Sequence, residues 1–178
     1  MSDRLPSMDT LNYSVGTSSL GWTLVAWTDN GVCAVLLGDG PAEVIADLEV
    51  RFPRVALVEA YSTLVDSIIA SIDDPSQPVD APLDLRGTDL QQRVWRELRT
   101  IPVGATASYG EVAKRIGGAP RGAKDVADAC AANALAVLVP CHRVIRSNGA
   151  LAGYRWGVRR KRALLAREAR VINCHHAA

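Results

Sequence analysis

The sequence predicts an α+β fold: a small N-terminal domain with an antiparallel sheet and helices, then a mainly helical C-terminal domain holding a winged-helix-like helix-turn-helix. Three observations predict it. β-rich stretches divided by turn signals fill residues 11–38. A three-proline stretch without helical period, "PSQPVDAPLDLRG", reads as a connector. Beyond it, apolar residues recur mostly at helical spacing. The boundary falls near Asp84, giving residues 1–83 and 84–178.

In "LNYSVGTSSLGWTLVAWTDNGVCAVLLG" the β-prone runs are broken by Gly-Thr-Ser-Ser and by Asp-Asn-Gly, the latter a hairpin signal. "PAEVIADLEVRFP" opens with Pro41 and keeps helical spacing up to Pro53, and "YSTLVDSIIASIDD" repeats the pattern. "TDLQQRVWRELRTIP" starts on Thr88 with Gln91 three residues on, a capping box, and sets Leu90, Val94, Leu98 and Ile101 on one face. "GEVAKRIGGAPRGAKDVADACAAN" divides into a short helix, a Gly-Gly-Ala-Pro turn and a second helix from about Pro120. That is a helix-turn-helix, whose second helix usually faces nucleic acid. "LAVLV" is expected to be a buried strand or extended run ending at Pro140, and "VRRKRALLAREARVI" a basic amphipathic helix followed by a short tail.

The chain has 178 residues, 48% hydrophobic and 22% charged, enough to bury a core and contrary to disorder. Twenty Lys and Arg stand against 19 Asp and Glu, so net charge alone calls for no polyanion. "MSDRLPSMDTLNYS" has neither a basic start nor an apolar core, and no run approaches the roughly 18 apolar residues of a membrane span. A cytoplasmic protein with no membrane partner is expected. Cys33, Cys130, Cys141 and Cys174 lack framework spacing and read as free thiols. Cys174, His175 and His176 have no second ligand pair, so a mobile tail is expected there and no metal site.

In "LVPCHRVIRSNG" a cysteine sits between proline and histidine, directly behind aliphatic residues. A thiol becomes nucleophilic as a thiolate, and neighbouring basic groups such as His142 and Arg143 favour that form. A lone Cys-His pair is more often a small buried hydrophobe beside a satisfied core histidine.

The tetrad Pro140-Cys141-His142-Arg143 followed by Val144-Ile145 resembles the active-site signature of the O6-alkylguanine-DNA alkyltransferases. "RGTDLQQRVWRELRTIPVGATASYGEVAKRIG", "ACAANALAVLVPCHRV" and "NGALAGYRWGVRRKRALLAREA" resemble the same family in the same order. "GYRWG" and "ACAAN" are most similar to the C-terminal half of the bacterial adaptive-response (Ada) type, without the four-cysteine zinc domain that precedes that half. The resemblance implies a protein that binds double-stranded DNA from the minor groove, flips out an alkylated base, and takes its alkyl group once and irreversibly onto a cysteine. O6-alkylguanine is the expected substrate, with O4-alkylthymine a poorer one. No cofactor is expected, and a monomer is, with a separate Ada-type regulator as a conceivable partner.

Residue by residue, the resemblance makes Cys141 the acceptor, His142 its base through a water, and Glu168 the carboxylate that orients the histidine. Tyr109 is the tyrosine that helps turn the nucleotide out and protonate the leaving guanine, and Asn133 braces the active-site turn. Val144, Tyr154 and Arg155 form the base pocket, and Trp156 makes it cramped, favouring methyl over benzyl-sized adducts. DNA contacts are expected from Tyr109, Arg121, Lys124, Asp125 and Arg143. Lys124 stands where the family has an intercalating arginine, a swap that loses a planar guanidinium. Asp125 and Asp128 leave the helix "PRGAKDVADACAAN" without net charge. Either Asp125 turns away from DNA to pair with Lys124 or Arg121, or duplex binding is weakened. Arg143, Arg146, Arg155, Arg159, Arg160, Lys161 and Arg162 form a basic cluster, some of which is expected to contact phosphates, although a charge run of this kind is usually a solvated helix face. The alternatives are a binder or regulator of alkylated DNA with the same fold, and a cysteine hydrolase; Cys141 speaks against the first, and the lack of further histidines outside the tail against the second.

Overall fold

The computed structural model describes residues 10–77 and 79–176, with side chains through Asn173. The N-terminal residues 1–9, on which the reading of the leader rests, and the side chains of Cys174, His175 and His176 lie outside the described residues.

Strands β1 (Thr10–Ser18), β2 (Gly21–Thr28) and β3 (Gly31–Gly38) form the expected antiparallel meander. A fourth strand, β4 (Ala56–Glu59), pairs in parallel with β1, so the sheet is mixed, in the order β3-β2-β1-β4. Its four residues were too short a run to read as a strand. Helix α1 (Pro41–Arg51) starts on a proline, where the missing N–H costs nothing, and buries Val44 and Leu48. Helix α2 (Thr63–Asp73) is capped by the Ser62 hydroxyl and buries Val65, Ile68 and Ile72.

Although β3 is an edge strand, it is buried along its whole length. Its free edge is closed by two segments of the chain rather than by charge or bulges. The connector lies against one part, with the Val32 N–H donating to Pro82 O (2.8 Å) and the Asp84 N–H to Val32 O (2.9 Å). The segment before the cysteine lies against another, with the Val35 N–H donating to Ala134 O (2.8 Å) and the Ala136 N–H to Val35 O (3.0 Å). The sheet therefore serves as a template for the active-site segment.

Helix α3 (Asp89–Leu98) forms with the capping box of Thr88 and Gln91, burying Val94, Trp95 and Leu98. The Trp95 indole donates to Ala129 O at 2.8 Å, tying α3 to the second helix of the helix-turn-helix. Strand β5 (Ala107–Ser108) leads into α4 (Tyr109–Arg115), capped by Ser108 and Glu111 in the same reciprocal way. Helix α5 (Ala123–Ala132) begins at Ala123, later than Pro120, because Gly122 at φ +60° breaks the helix. A single 3₁₀ turn, Cys141–Arg143, runs into β6 (Val144–Ile145), which pairs in parallel with β5. Helix α6 (Val158–His176) continues through the residues expected to form a tail. Among the described residues no helix is long and apolar enough to cross a membrane.

"LAVLV" is not a strand. It meets the sheet at Leu135, whose bridge to Val35 includes the Ala136 N–H, and then coils, with Val137 at φ +68°, a conformation that a β-branched residue adopts at a cost. Backbone bonds from Leu138 to Ala136 and from Val139 to Leu135 hold this coil.

Gly31 sits at φ +135°, and a β-carbon there would lie 2.3 Å from Pro82 O. Gly31→Ala is expected to destabilise the protein by about 1–3 kcal/mol through backbone strain, with the clash adding to it. Urea denaturation monitored by tryptophan fluorescence measures the loss.

Candidate active site

Asn133 ends α5 and is 1% exposed. Its side-chain oxygen accepts from the Leu135 N–H (2.8 Å), while its amide nitrogen donates to Val139 O (2.9 Å), Leu135 O (3.3 Å) and the sulfur of Cys141 (3.2 Å). One side chain thus spans both ends of the coil from 133 to 141. Its hydrogen bonds are what hold Val137 in its strained conformation, and they aim the thiol.

Cys141 is buried, and burial pushes its thiol up to about 11 against the opposing pull of the Asn133 amide and the Lys161 ammonium. Adjacent basic residues do not by themselves yield a resting thiolate here, because desolvation outweighs them. For this thiol to act as a nucleophile, its proton has to leave as it reacts.

His142 is fully buried and its Nε2 lies 2.7 Å from Glu168 Oε1. Burial holds the imidazole below its ordinary 6.5, although Glu168 pulls it the other way. A neutral ring paired through Nε2 leaves Nδ1 as the base nitrogen, and Nδ1 is buried without a protein partner among the described residues. Glu168, on α6, is 2% exposed and also accepts from Arg143 Nε (3.0 Å) and Nη2 (2.9 Å) and from the Gly104 N–H (3.1 Å). Burial alone would raise this carboxyl; the donors from His142 and Arg143 win and hold it at about 2.

Arg143 was expected on DNA. It is instead 9% exposed, clamping Glu168 and donating through Nη1 to Ile101 O. Lys161 likewise leaves the solvated basic run: it is completely buried, its Nζ donating to Val144 O at 2.6 Å, with its charge felt by Cys141 and Cys130. Its place could have been read from the spacing of Lys161, Leu164 and Glu168 along one face of α6.

Cys141 opens onto a cavity of about 580 Å³ whose walls include Tyr109, Lys124, Cys130, Arg146, Tyr154 and Arg155. The structure thus brings Tyr109, Tyr154 and Arg155 to the thiol as expected. Trp156 and Val144 do not line it. Trp156 stands behind Tyr154, edge to face at 5.2 Å, so any cramping acts through Tyr154; Val144 is buried beside Lys161. Asp125, expected at the DNA face, is buried. It is 4% exposed and accepts from the Arg121 N–H (2.8 Å), which holds its carboxyl below the ordinary range, and it pairs with the Arg121 guanidinium. That guanidinium also reaches Asp128 at 3.0 Å. Among the described residues no group of three or more His, Cys, Asp or Glu is placed to hold a metal ion.

The model of the family described as "6-O-methylguanine DNA methyltransferase, DNA binding domain" matches residues 89–170. The chain is 48% identical over 162 residues to the bifunctional transcriptional activator/DNA repair enzyme Ada of Escherichia coli (strain K12), covering 89% of this chain and 46% of that protein. It thus spans about half the length of that relative. A methylated-DNA--protein-cysteine methyltransferase of Mycobacterium bovis is 52% identical over 109 residues, 61% of this chain and 66% of that one. The crystal structure of Mycobacterium tuberculosis OGT in complex with DNA superposes with a TM-score of 0.75 at 34% identity, covering 89% of this chain and 93% of that one.

The buried carboxylate makes stability pH-dependent with a fixed sign. Glu168 is depressed from 4.5 to about 2, so its contribution is present above 4.5 and drains as pH falls towards 2; His142, depressed below 6.5, loses stability on acidification below 6.5. Urea denaturation across pH is expected to show both limbs. Glu168→Gln, leaving Arg143 buried without its counter-charge, is expected to lower the plateau by about 3–5 kcal/mol and flatten the more acidic limb.

Proposed function

The chain belongs to the O6-methylguanine-DNA methyltransferase family, and from that premise we propose that it repairs alkylated DNA by moving one alkyl group from O6 of guanine to Cys141. The observation that carries this reading is a buried thiol at a cavity beside a helix-turn-helix, braced by Asn133 and followed by a His-Glu pair already in hydrogen-bond register. O6 of guanine is out of a thiol's reach inside the duplex, so the base must leave the stack to enter the cavity.

The step is one in-line displacement. The Cys141 sulfur forms a bond to the alkyl carbon as the C–O6 bond breaks, and the pair of electrons from that bond stays on guanine. The thiol proton passes by way of one water to His142 Nδ1, the nitrogen left free by the Glu168 hydrogen bond, and Glu168 stabilises the imidazolium that forms. Tyr109, whose hydroxyl burial raises to about 12, donates a hydrogen bond to the leaving guanine as that base takes up a proton, and the proton held by His142 returns through water to replace it, so both side chains end neutral. The products are an S-alkyl cysteine and guanine, with no regenerating step, so each molecule acts once. Asp125, which would repel the duplex if it faced it, instead sits buried in the first turn of α5 and accepts from the Arg121 N–H just ahead of that helix.

Incubation with a duplex holding a single O6-methylguanine is expected to add one methyl group to the intact protein by mass spectrometry, on the peptide carrying Cys141, and none to Cys141→Ala. His142→Ala is expected to slow the single turnover about 10²–10⁴-fold. A wild-type protein that binds this duplex and gains no mass would refute the proposal.

A further inference from the structure

The positive charge that this protein offers to a nucleic acid is not where a helix-turn-helix would place it. Just ahead of α5, the Arg121 guanidinium is held by Asp125 and Asp128 of that helix. Of the cations around the cavity, Arg155 is paired with Asp47 at 2.7 Å. Lys124 and Arg146 remain: both are exposed, both line the cavity, and among the described residues neither forms a salt bridge. Lys124 rises from α5, whereas Arg146 comes from the turn after the active-site strand.

That turn is built to hold Arg146 still. Its N–H donates to Ala150 O (3.0 Å), its carbonyl accepts from the Gly149 N–H (2.9 Å), and the Asn148 side chain caps the Ala150 N–H (3.1 Å), with Gly149 at φ +79°. The preceding strand β6 is pinned to β5, which leads directly into Tyr109. The Arg146 charge acts on the Tyr109 hydroxyl, opposing the rise that burial gives it.

We propose that Arg146 is the phosphate anchor of the lesion nucleotide: its guanidinium grips a phosphodiester oxygen pair flanking the everted base, with the base in the cavity and Tyr109 between. This rests on the reading of the cavity as a nucleotide site. A planar fork of donors matches two phosphate oxygens, which an ammonium meets only as a point charge. The neutralised recognition helix gives this contact unusual weight, since phosphate contacts dominate affinity for DNA.

The test is the salt dependence of binding to a labelled duplex with one O6-methylguanine, read by anisotropy in the full chain carrying Cys141→Ser so that no transfer intervenes. Loss of one phosphate contact in Arg146→Ala is expected to make the slope of log affinity against log salt shallower by about 0.9. Arg146→Lys is expected to restore the slope with weaker affinity, because it keeps the charge and loses the fork. An Arg146→Ala slope equal to that of the parent would overturn the proposal, as would weakened binding with an unaltered slope, which marks a merely structural role. Either failure leaves methyl transfer by the wild type untouched, whereas failure of the repair reading leaves the mass unchanged whatever the slope.

Discussion

The carboxylate of Glu168 is the point on which the rest of the site depends. Taking such a group out of water costs several kcal/mol, and it stays ionised only because His142, Arg143 and the Gly104 N–H supply donors around it. Those donors come from two places, the 3₁₀ turn that carries Cys141 and the loop after α3, and Arg143 is held in turn by donating to the Ile101 carbonyl. One buried charge therefore joins α6 to the turn and fixes the imidazole with Nδ1 left without a protein partner among the described residues, as the proposed relay requires.

A second support comes from the sheet. The free edge of β3 takes the Ala134–Ala136 backbone as if it were a further strand, and Asn133 then bridges from this fixed point to Val139 and the Cys141 sulfur. The N-terminal sheet thus helps to place the thiol without giving a side chain to its surroundings. Rigidity of the coil between these supports is what allows Val137 to persist at positive φ.

The elements with strong local signals were legible in the sequence: the Asp-Asn-Gly hairpin, α1 behind Pro41, and α3 behind its capping box follow from residues near in the chain. Cys141, His142, Glu168, Asn133, Tyr109 and Tyr154 were singled out through their joint resemblance to a family, and the fold sets Cys141, Tyr109 and Tyr154 on one cavity, Asn133 against the thiol, and His142 against Glu168. What could not be read were the long-range choices. Arg143 and Lys161 look like surface charges in a basic run, and only the fold sets them against a carboxylate and a carbonyl. Asp125 looks like a repulsive charge on DNA until its contact with the Arg121 N–H is seen. β4 is too short to announce itself, and "LAVLV" has the composition of a strand but is coiled by hydrogen bonds from Asn133.

If Glu168 and His142 act as one relay, their removal must not be additive. Single-turnover methyl transfer rates for the wild type, His142→Ala, Glu168→Gln and the double variant measure this directly, each taken under conditions where denaturation curves show the protein folded. The relay predicts that the double variant is no slower than His142→Ala alone, since the carboxylate has nothing left to orient. Losses that multiply in the double variant would mean that Glu168 serves the fold and that His142 draws no help from it.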